Sequence, residues 1–298
     1  CMGSRLLYYL LLKPVSLLPY FFLYRVSDFF FFIFIIFFRY RRAVVLSNLE
    51  RAFPEKNDRW RQVVMKRFYR HLADLIVESI KNFSISADET NERFIAENTQ
   101  VFEHLNKENK PVVIAGGHYN NWELFALAAA DHMPQITMAI YKRLNNKWFD
   151  QKMREARGTF GLVLVSTRES ATWIDNNIKR NPAIIYGIDQ SPADPMKAYW
   201  GPFLGIDTAM YLGAESHAKK YDMAVVYGHI EKRRRGYYAI RYELITEDAR
   251  SFKDGELTQL LQDKLEADVQ KSPEYWLWTH KRWKHSRPAD WQLRPIKY

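Results

Sequence analysis

Six short runs rich in β-branched and aromatic residues alternate with segments of helical spacing, and this alternation constrains the fold more than any other feature. The runs are PVVIAGG, QITMAIY, GLVLVS, PAIIYGIDQ, MAVVYGHI and YYAIRYELI. Such alternation is typical of an α/β sheet, and the last two runs, separated only by EKRRRG, predict a hairpin. A longer helical pattern covers residues 63–83. We therefore predict an α/β fold with a mixed central sheet flanked by helices, over a domain of residues 59–298.

The first 58 residues are dominated by one apolar stretch. Residues 17–38 are mostly large apolar side chains, interrupted by Arg25 and Asp28, and they end in ten consecutive aromatic and isoleucine residues. Lipid surrounds such a run more readily than a protein core does, although a buried core helix is the alternative. Arg25 and Asp28 share one helix face and could pair, and the basic residues 39–42 suit anionic headgroups. We predict membrane-anchoring helices in residues 1–58, which either span the bilayer or lie in its interface.

The charge of the chain indicates an anionic partner. Lysine and arginine number 44 against 34 acidic residues, which gives a net charge of +10. Such an excess suits a membrane surface, nucleic acid or an acidic carrier protein, and charge alone does not choose among them. Cys1 is the single cysteine, so neither a disulfide framework nor a cysteine metal site is expected. The histidines lack metal-ligand spacing, so no metal is expected; they include His71, His104, His132, His217, His229 and His285.

The run VVIAGG followed by NWELFALAAA has the pattern of a strand, a glycine turn and a helix, with His118 at the junction. In open α/β sheets, ligands bind at the edge where such strands end. A histidine there has a pKa near neutrality and can act as a general base. The alternative is structural, because Asn120 and Glu123 have the spacing of a capping box, which would leave His118 merely polar. The two interpretations are compatible, since a capped turn would fix Glu123 where it could orient the imidazole.

Several segments in a fixed order carry a family resemblance. They are YRVSDFFFFIFIIFFRYRR, SNLERAFPE, RFYRHLADLIVE, GGHYNNWE, YKR, REARGTFG, IIYGIDQSP and PEYWLWTHKRWKHSRP. A histidine, four residues and then an acid, here His118 and Glu123, form the motif at their centre. With these segments the chain resembles the lipid A biosynthesis acyltransferases, members of the lysophospholipid acyltransferase-like superfamily.

The resemblance implies a glycerolipid acyltransferase-like fold and transfer of an acyl chain from a thioester to a hydroxyl of a lipid acceptor, foremost a lipid A precursor. The donor would be acyl carrier protein or acyl-CoA, with no cofactor. The implied location is the bacterial cytoplasmic (inner) membrane, with the catalytic domain facing the cytoplasm and with anionic membrane lipid as a further partner. His118 would be the base and Glu123 its partner, so the acceptor would attack the thioester directly. No nucleophilic residue is then required, which agrees with the absence of G-x-S-x-G and of internal cysteine.

The resemblance also suggests substrate-binding residues. Arg143 in YKR, the nearby Asn145, and Arg157 correspond to the family's second motif segment, where positive charge would hold a phosphate of donor or acceptor. The alternative for the two arginines is a solvated helix surface. Asp189 and Gln190 follow the strand AIIYGI and should reach the same sheet edge as the histidine. Family members carry Asp-His or Asp-Gln there, which favours a role in the site over a role in a loop turn.

Two other features receive structural interpretations. Aromatic residues at the spacing seen in the tail more often pack than do chemistry, and this interpretation covers Trp276, Trp278, His280 and Arg282. The basic residues of the hairpin connection are interpreted as solvated charge, with docking of an acidic carrier protein or a lipid phosphate as the alternative; they are Arg233, Arg234 and Arg235.

Three other functions fit parts of the sequence. The acceptor could be an ornithine lipid, a glycan lipid or another amino lipid, since Lys142 and Arg143 stand where Arg-Pro is more usual in the family. A non-catalytic membrane scaffold of the same fold is disfavoured, because it would have no reason to keep both His118 and Glu123. A basic nucleic-acid-binding protein is disfavoured as well, because no binding module is recognisable and the phenylalanine-rich run has no place in one. We therefore expect no nucleic-acid partner.

Overall fold

The computed structural model describes residues 2–33 and 39–296, and these form an α/β structure. The helices are α1 (Met2–Leu7), α2 (Lys13–Leu17), α3 (Tyr20–Phe32), α4 (Arg42–Ala52), α5 (Asp58–Lys81), α6 (Ala87–Arg93), α7 (Gln100–Lys107), α8 (Trp122–Ala128), α9 (Lys147–Arg157), α10 (Ser170–Asn177), α11 (Gly213–Lys220) and α12 (Glu256–Lys271). The strands are β1 (Phe94–Glu97), β2 (Val112–Gly116), β3 (Thr137–Tyr141), β4 (Val163–Ser166), β5 (Ala183–Gly187), β6 (Tyr199–Phe203), β7 (Ile206–Met210), β8 (Ala224–Arg234) and β9 (Tyr237–Thr246). A π-helical segment, Tyr8–Leu12, joins α1 to α2.

Seven strands form one mixed sheet in the order β1-β9-β8-β2-β5-β3-β4. The pairings among β8, β2, β5, β3 and β4 are parallel. Strand β9 is antiparallel to β8, and β1 pairs with β9 in parallel. Strands β6 and β7 form a separate antiparallel ribbon. The predicted mixed central sheet is therefore confirmed.

The sheet is buried on both faces, as the continuous apolar runs predict for parallel strands. Along β2, Val113 and Ala115 join a core with residues of α4, α5, α11 and α12. The alternating residues Val112 and Ile114 join a second core with residues of α7 and α8. The alternation follows from the two-residue period of a strand and gives a three-layer arrangement of helices, sheet and helices.

Two predicted elements are present with different bounds. Helix α5 covers the predicted pattern up to Lys81, and it begins earlier, at Asp58, because the side chain of Asn57 accepts a hydrogen bond from the Trp60 backbone N–H at 2.9 Å. The predicted hairpin is β8–β9, but most of EKRRRG belongs to β8, and the turn is confined to Arg235 and Gly236. Gly236 has φ +75°, a conformation that glycine adopts without strain.

Helix α3 packs along α5 with polar side chains facing inward. The Ser27 hydroxyl donates to Asp74 Oδ1 at 2.7 Å, and the Tyr24 hydroxyl donates to Glu78 Oε1 at 2.9 Å. Both carboxylates belong to α5 and are buried. The surface that α3 presents to the protein is thus hydrogen-bonded, with Leu23 as its fully buried apolar residue.

The pairing that the spacing of Arg25 and Asp28 allows is not formed. Asp28 Oδ1 instead accepts from Arg70 at 2.5 Å and from Arg235 at 2.7 Å, so its charge is compensated by α5 and by the hairpin turn. The guanidinium of Arg25 lies 5.1 Å from the centre of the Phe21 ring, on the outer side of the helix. Arg25, three residues away on the same helix, is thus a weaker partner for Asp28 than Arg70 and Arg235, which the packing of other elements brings to it.

The outer surface of the N-terminal helices carries many exposed apolar side chains. They include Leu6, Leu7, Tyr9, Leu10, Leu11, Leu17, Phe21, Phe22, Phe29 and Phe32. Over the ranges 2–33 and 39–296, none of the helices combines the length and apolarity needed to cross a membrane. The rest of the predicted apolar run, residues 34–38, lies outside the described residues.

Candidate active site

His118 lies in the loop between β2 and α8, at the end of the sheet where the parallel strands finish. Strand β5 is the direct neighbour of β2, and Gly187 is paired in register with Gly116. The chain leaves both strands at the same level, which brings Asp189, two residues beyond β5, next to His118. The sequence prediction that Asp189 reaches the same edge as the histidine is confirmed.

Asp189 holds both the backbone and the ring of His118. Its Oδ1 lies 2.6 Å from His118 Nδ1, and its Oδ2 accepts from the His118 backbone N–H at 2.9 Å. The side-chain amide nitrogen of Gln190 lies 3.2 Å from His118 Nε2. Because the amide nitrogen can only donate, these contacts favour the tautomer with the proton on Nδ1 and a lone pair on Nε2. The Nε2 lone pair is the atom that a general base requires.

The ring of His118 sits in a confined position. A Cβ atom on Gly187 would lie 3.1 Å from His118 Cε1, so the absence of a side chain at residue 187 leaves the room that the imidazole occupies. On another side the Trp122 ring meets the imidazole edge-to-face, with centroids 5.2 Å apart. The His118 side chain is still 24% exposed, so a substrate can reach it.

The tail of the chain completes the support of Asp189. Trp276 Nε1 donates to Asp189 Oδ2 at 2.9 Å, and Trp276 forms a β-bridge with Tyr119 in the histidine loop. The backbone N–H of Asn120 donates to the Tyr275 carbonyl at 3.0 Å. Trp276 is buried, as its structural interpretation predicts, and its indole in addition contacts the carboxylate that holds His118.

The other tail residues surround this contact. His280 Nε2 accepts from the Ser191 backbone N–H at 3.0 Å, and the Trp278 indole donates to the Pro273 carbonyl at 2.6 Å. The guanidinium of Arg282 is buried and donates to the Ala209 carbonyl at 2.6 Å. His280 thus holds the loop that follows Asp189, while Trp278 and Arg282 fix the tail on itself and on β7.

Burial and charge act in opposite directions on the histidine. Burial lowers the pKa of His118, but the Asp189 carboxylate outweighs it, so the net pKa is raised above 6.5. For Asp189, burial raises the pKa, but the charge and hydrogen bonds of His118 hold it well below its usual range. The carboxylate is therefore ionised at any pH at which the imidazole can act as a base.

Glu123 has a different partner from the one predicted. The cap of α8 is Asn121, whose side chain accepts from the Leu124 N–H at 2.8 Å, so the capping box proposed for Asn120 is wrong by one residue. Glu123 accepts two hydrogen bonds from Arg157, at 2.6 and 2.9 Å. Among the residues that the structure describes, Glu123 is not hydrogen-bonded to His118, and the carboxylate that orients the imidazole belongs to Asp189.

The paired charges of Glu123 and Arg157 lie close enough to affect the histidine. The Glu123 carboxylate raises the pKa of His118 and the Arg157 guanidinium lowers it, both after the larger effects of burial and Asp189. Burial lowers the pKa of Arg157, but Glu123 outweighs it and the net pKa is raised, so the cation persists. Arg157 is thereby brought into the site, and its role in substrate binding stays a prediction.

Arg143 and Asn145 lie apart from these residues. Arg143 is exposed and pairs with Glu169 at 2.6 Å, both side chains being more than half exposed. Asn145 is also exposed. The solvated-surface alternative therefore describes the geometry of Arg143, while Arg157, Asp189 and Gln190 converge on His118.

A buried carboxylate behind the site holds the histidine loop. Glu78 Oε2 accepts from the Asn121 side chain at 2.7 Å and from the Tyr238 hydroxyl at 2.8 Å. Burial, together with the charge of Asp74, raises the pKa of Glu78 to about 7. The sequence reasoning missed this residue, because nothing in a single acidic position of a helix indicates that it binds a cap residue 43 positions later. Over the described part of the chain, no group of three or more His, Cys, Asp or Glu residues could hold a metal ion.

Comparison with known proteins identifies the family of the chain. The model of the family described as bacterial lipid A biosynthesis acyltransferase matches residues 3–285. The lipid A biosynthesis palmitoleoyltransferase of Escherichia coli (strain K12) is 20% identical over 255 residues, which cover 85% of this chain and 81% of that protein. The lipid A biosynthesis acyltransferase of Shigella flexneri matches with the same identity and coverage. The chain therefore belongs to the bacterial lipid A biosynthesis acyltransferase family and is an acyltransferase.

Proposed function

We propose that this enzyme moves a fatty acyl chain from an acyl thioester, carried by acyl carrier protein or by CoA, to a hydroxyl of a lipid A precursor. The observation that carries the proposal is the His118 and Asp189 pair, with Nδ1 held by a carboxylate and Nε2 turned toward the accessible side. Family membership supplies the reaction class and the lipid acceptor. The pair supplies a base suited to activating a hydroxyl.

The reaction needs one proton carrier and no covalent enzyme intermediate. The acceptor hydroxyl approaches His118 Nε2, where the Gln190 amide now lies at 3.2 Å. Nε2 takes the proton as the hydroxyl oxygen attacks the thioester carbonyl carbon. The tetrahedral intermediate then collapses, the carbon–sulfur bond breaks, and the imidazolium returns the proton to the leaving thiolate. The products are an ester and a free thiol. Asp189 stabilises the imidazolium between the two transfers.

Glu123 and Arg157 have a positioning and electrostatic role in this proposal. The two-point hydrogen bonding fixes the guanidinium plane, which a single contact would leave free to rotate. A fixed cation near His118 is suited to stabilise the negative oxygen of the tetrahedral intermediate or a phosphate of a substrate. Glu123 thus contributes to the reaction through Arg157. The sequence also suggested Arg143 and Asn145 as substrate-binding residues. Both are exposed, so they would contact a substrate on the outer surface of the protein.

We further propose that α1 to α3 lie in the interface of the bacterial inner membrane, with the catalytic domain on the cytoplasmic side. The polarity of α3 supports this, because its protein-facing side is hydrogen-bonded through Tyr24, Ser27 and Asp28. Its outer side is apolar except for the exposed Arg25. Helices on a water-soluble surface have the opposite polarity. The exposed side chains of α1, the π-helical segment and α2 continue the same apolar surface, which lipid would cover.

The catalytic proposal is tested by transferring labelled acyl chains from acyl carrier protein, and separately from acyl-CoA, into a bacterial lipid extract. The wild-type protein and His118→Ala are compared, and labelled products are identified by mass spectrometry. A labelled lipid A precursor made by the wild type alone supports the proposal. A labelled ornithine, glycan or other amino lipid would correct the acceptor. No product from either protein with either donor would support the scaffold alternative.

The interfacial location is tested on the apolar surface of α3. Phe21→Ser combined with Phe29→Ser removes two rings that are each 63% exposed. Burying a phenylalanine contributes about 1.5–3 kcal/mol, so partition into vesicles should fall about 100-fold or more. Ile95→Ser combined with Leu244→Ser changes two exposed apolar residues at the sheet edge and serves as the control. Equal partition of the two double variants would contradict the proposed location.

A further inference from the structure

An open pocket of about 440 Å³ lies between the N-terminal helices and the body of the protein. Its lining residues come from α3, α5, β8 and the tail, and they are Phe31, Lys66, Arg67, Arg70, His71, Lys232, Glu274 and Tyr275. None of these side chains takes part in the reaction proposed above. The pocket is therefore a feature that the acyl-transfer chemistry leaves unexplained.

The lining is strongly cationic. Four of its side chains are lysine or arginine, and Glu274 is its one carboxylate. The Lys66 side chain is exposed and makes no hydrogen bond or ion pair with any residue that the structure describes. The Arg67 guanidinium lies 3.8 Å from the Glu274 carboxylate while 66% of its side chain stays exposed. These two cations are available to a ligand.

The deeper part of the pocket is built from buried polar groups. Lys232 Nζ lies 3.4 Å from His71 Nδ1 and 3.5 Å from Asp74 Oδ2, with only 12% of the lysine side chain exposed. Burial and the neighbouring Lys232 both lower the pKa of His71, so the histidine lines the pocket as a neutral imidazole. Asp74, the carboxylate that pairs with this ammonium, also accepts from Arg235 at 2.6 and 2.9 Å. Its charge is thus shared between two cations, which favours a negative ligand at the pocket floor.

The position of the pocket selects the kind of anion. Phe31 belongs to α3, and the Arg70 guanidinium lies 4.6 Å from the centre of its ring. The cations therefore lie directly beside the helix whose outer face is apolar. If α3 lies in the acyl-chain boundary, the pocket is at the depth of the headgroups, where the accessible anions are lipid phosphates.

We propose that this pocket binds the phosphate of a membrane lipid headgroup and so holds the catalytic domain at a fixed depth on the bilayer. The inference rests on the interfacial location proposed above. Two features favour a lipid phosphate over free inorganic phosphate as the ligand. They are the aromatic wall of Phe31 and Tyr275 and the apolar surface that continues from it. A lipid phosphate gains contact with both, whereas inorganic phosphate meets only the cations.

The test uses the full chain with Lys66→Ala combined with Arg67→Ala. Lys179→Ala combined with Arg180→Ala is the matched control, because it removes the same charges at an exposed site that does not line the pocket. Cosedimentation is measured with phosphatidylcholine vesicles, with and without phosphatidic acid. Titration with dihexanoyl phosphatidic acid, compared with inorganic phosphate, measures binding without a bilayer. Acyl transfer in detergent micelles serves as the activity readout.

Each basic residue near an anionic surface contributes about five-fold to partition, so the pocket variant should bind phosphatidic acid vesicles about 30-fold less than the wild type. The control should stay within a few-fold of the wild type, and transfer in micelles should be unchanged in both variants. Dihexanoyl phosphatidic acid should bind the wild type more tightly than inorganic phosphate. Equal losses in the two variants, or equal affinity for both ligands, would overturn the inference. A wild type that binds no vesicles at all would overturn the interfacial location itself, with the transfer assay still reporting on the chemistry.

Discussion

Asp189→Asn is the substitution that most directly probes the proposed mechanism. Asp189 Oδ2 accepts two N–H groups, from the His118 backbone and the Trp276 indole, whereas Oδ1 contacts only His118 Nδ1. An asparagine amide placed at Oδ2 would face two donors, so its oxygen must take that position. Its NH₂ group then faces Nδ1, which can accept only if the imidazole proton moves to Nε2. The base is thereby protonated at the atom that must receive the acceptor proton.

General-base catalysis contributes about 10²- to 10⁴-fold, so kcat should fall by that factor, corresponding to about 3–5 kcal/mol of transition-state stabilisation. The pH dependence should change as well. In the wild type, the rate rises with pH as the imidazolium of His118 loses its proton, around a pKa that Asp189 raises above 6.5. Removing the carboxylate lowers that pKa, so the acid limb of the residual activity should move to lower pH.

The assay is the steady-state rate of labelled acyl transfer at a series of pH values, with thermal unfolding as a check on the fold. Asp194→Asn is the matched control, because it makes the same chemical change on the same loop at an exposed residue. The control should keep the wild-type rate and pH profile. A loss below about ten-fold for Asp189→Asn, with an unmoved acid limb, would refute the assignment of Asp189 as the residue that orients His118.

Three further predictions follow from single contacts. Trp276→Phe removes one of the three hydrogen bonds to Asp189 and should lower kcat by about ten-fold, less than Asp189→Asn does, when both are measured at the same pH. Arg157→Lys keeps the charge but not the two-point contact with Glu123, so transfer should fall by about ten-fold with little change in the pKa read from the pH profile. The pKa of Glu78 is about 7 in the folded state and 4.5 in the unfolded state. Between these two pH values the folded state keeps a proton that the unfolded state has lost, so stability falls as pH rises. Glu78→Gln should remove this slope, worth on the order of 3 kcal/mol, from pH-dependent unfolding measurements.

Six of the nine strands in the described residues could be predicted from the sequence, because each is a short apolar run bounded by glycine, proline or a polar residue. Their parallel pairing could be predicted as well, since helices separate most of them. Strands β1, β6 and β7 were not predicted. The chain order does not reveal that β5 lies beside β2, because β3, β4 and three helices intervene. That adjacency is what places Asp189 on His118, 71 residues away along the chain. The sequence therefore indicated both residues and their common edge without indicating that they are partners.

The pairing of His118 with Glu123 was implied by the family resemblance, and the structure explains why the two side chains do not meet. A residue in the first turn of α8 projects sideways from the loop that carries the histidine, toward whichever helix packs there. That helix is α9, whose last residue Arg157 offers two N–H groups in one plane. The two-point ion pair uses both carboxylate oxygens of Glu123, which holds this side chain on Arg157 and not on the imidazole. The contact depends on helix packing, which has no signature at either position.

The charges within the apolar N-terminal stretch are a second case in which spacing along the chain does not determine which side chains pair. Asp28 interrupts a run that otherwise suits lipid, and spacing alone suggested that Arg25 compensates it. In the structure Asp28 faces the protein and joins Arg70 and Arg235, whereas Arg25 remains on the outer, apolar side. An aspartate in an anchoring helix is thus compatible with lipid on one face only if the other face is docked on a cationic partner. With α3 in the membrane interface as proposed, the contact of Asp28 with Arg235 would tie the depth of the catalytic domain to the hairpin turn.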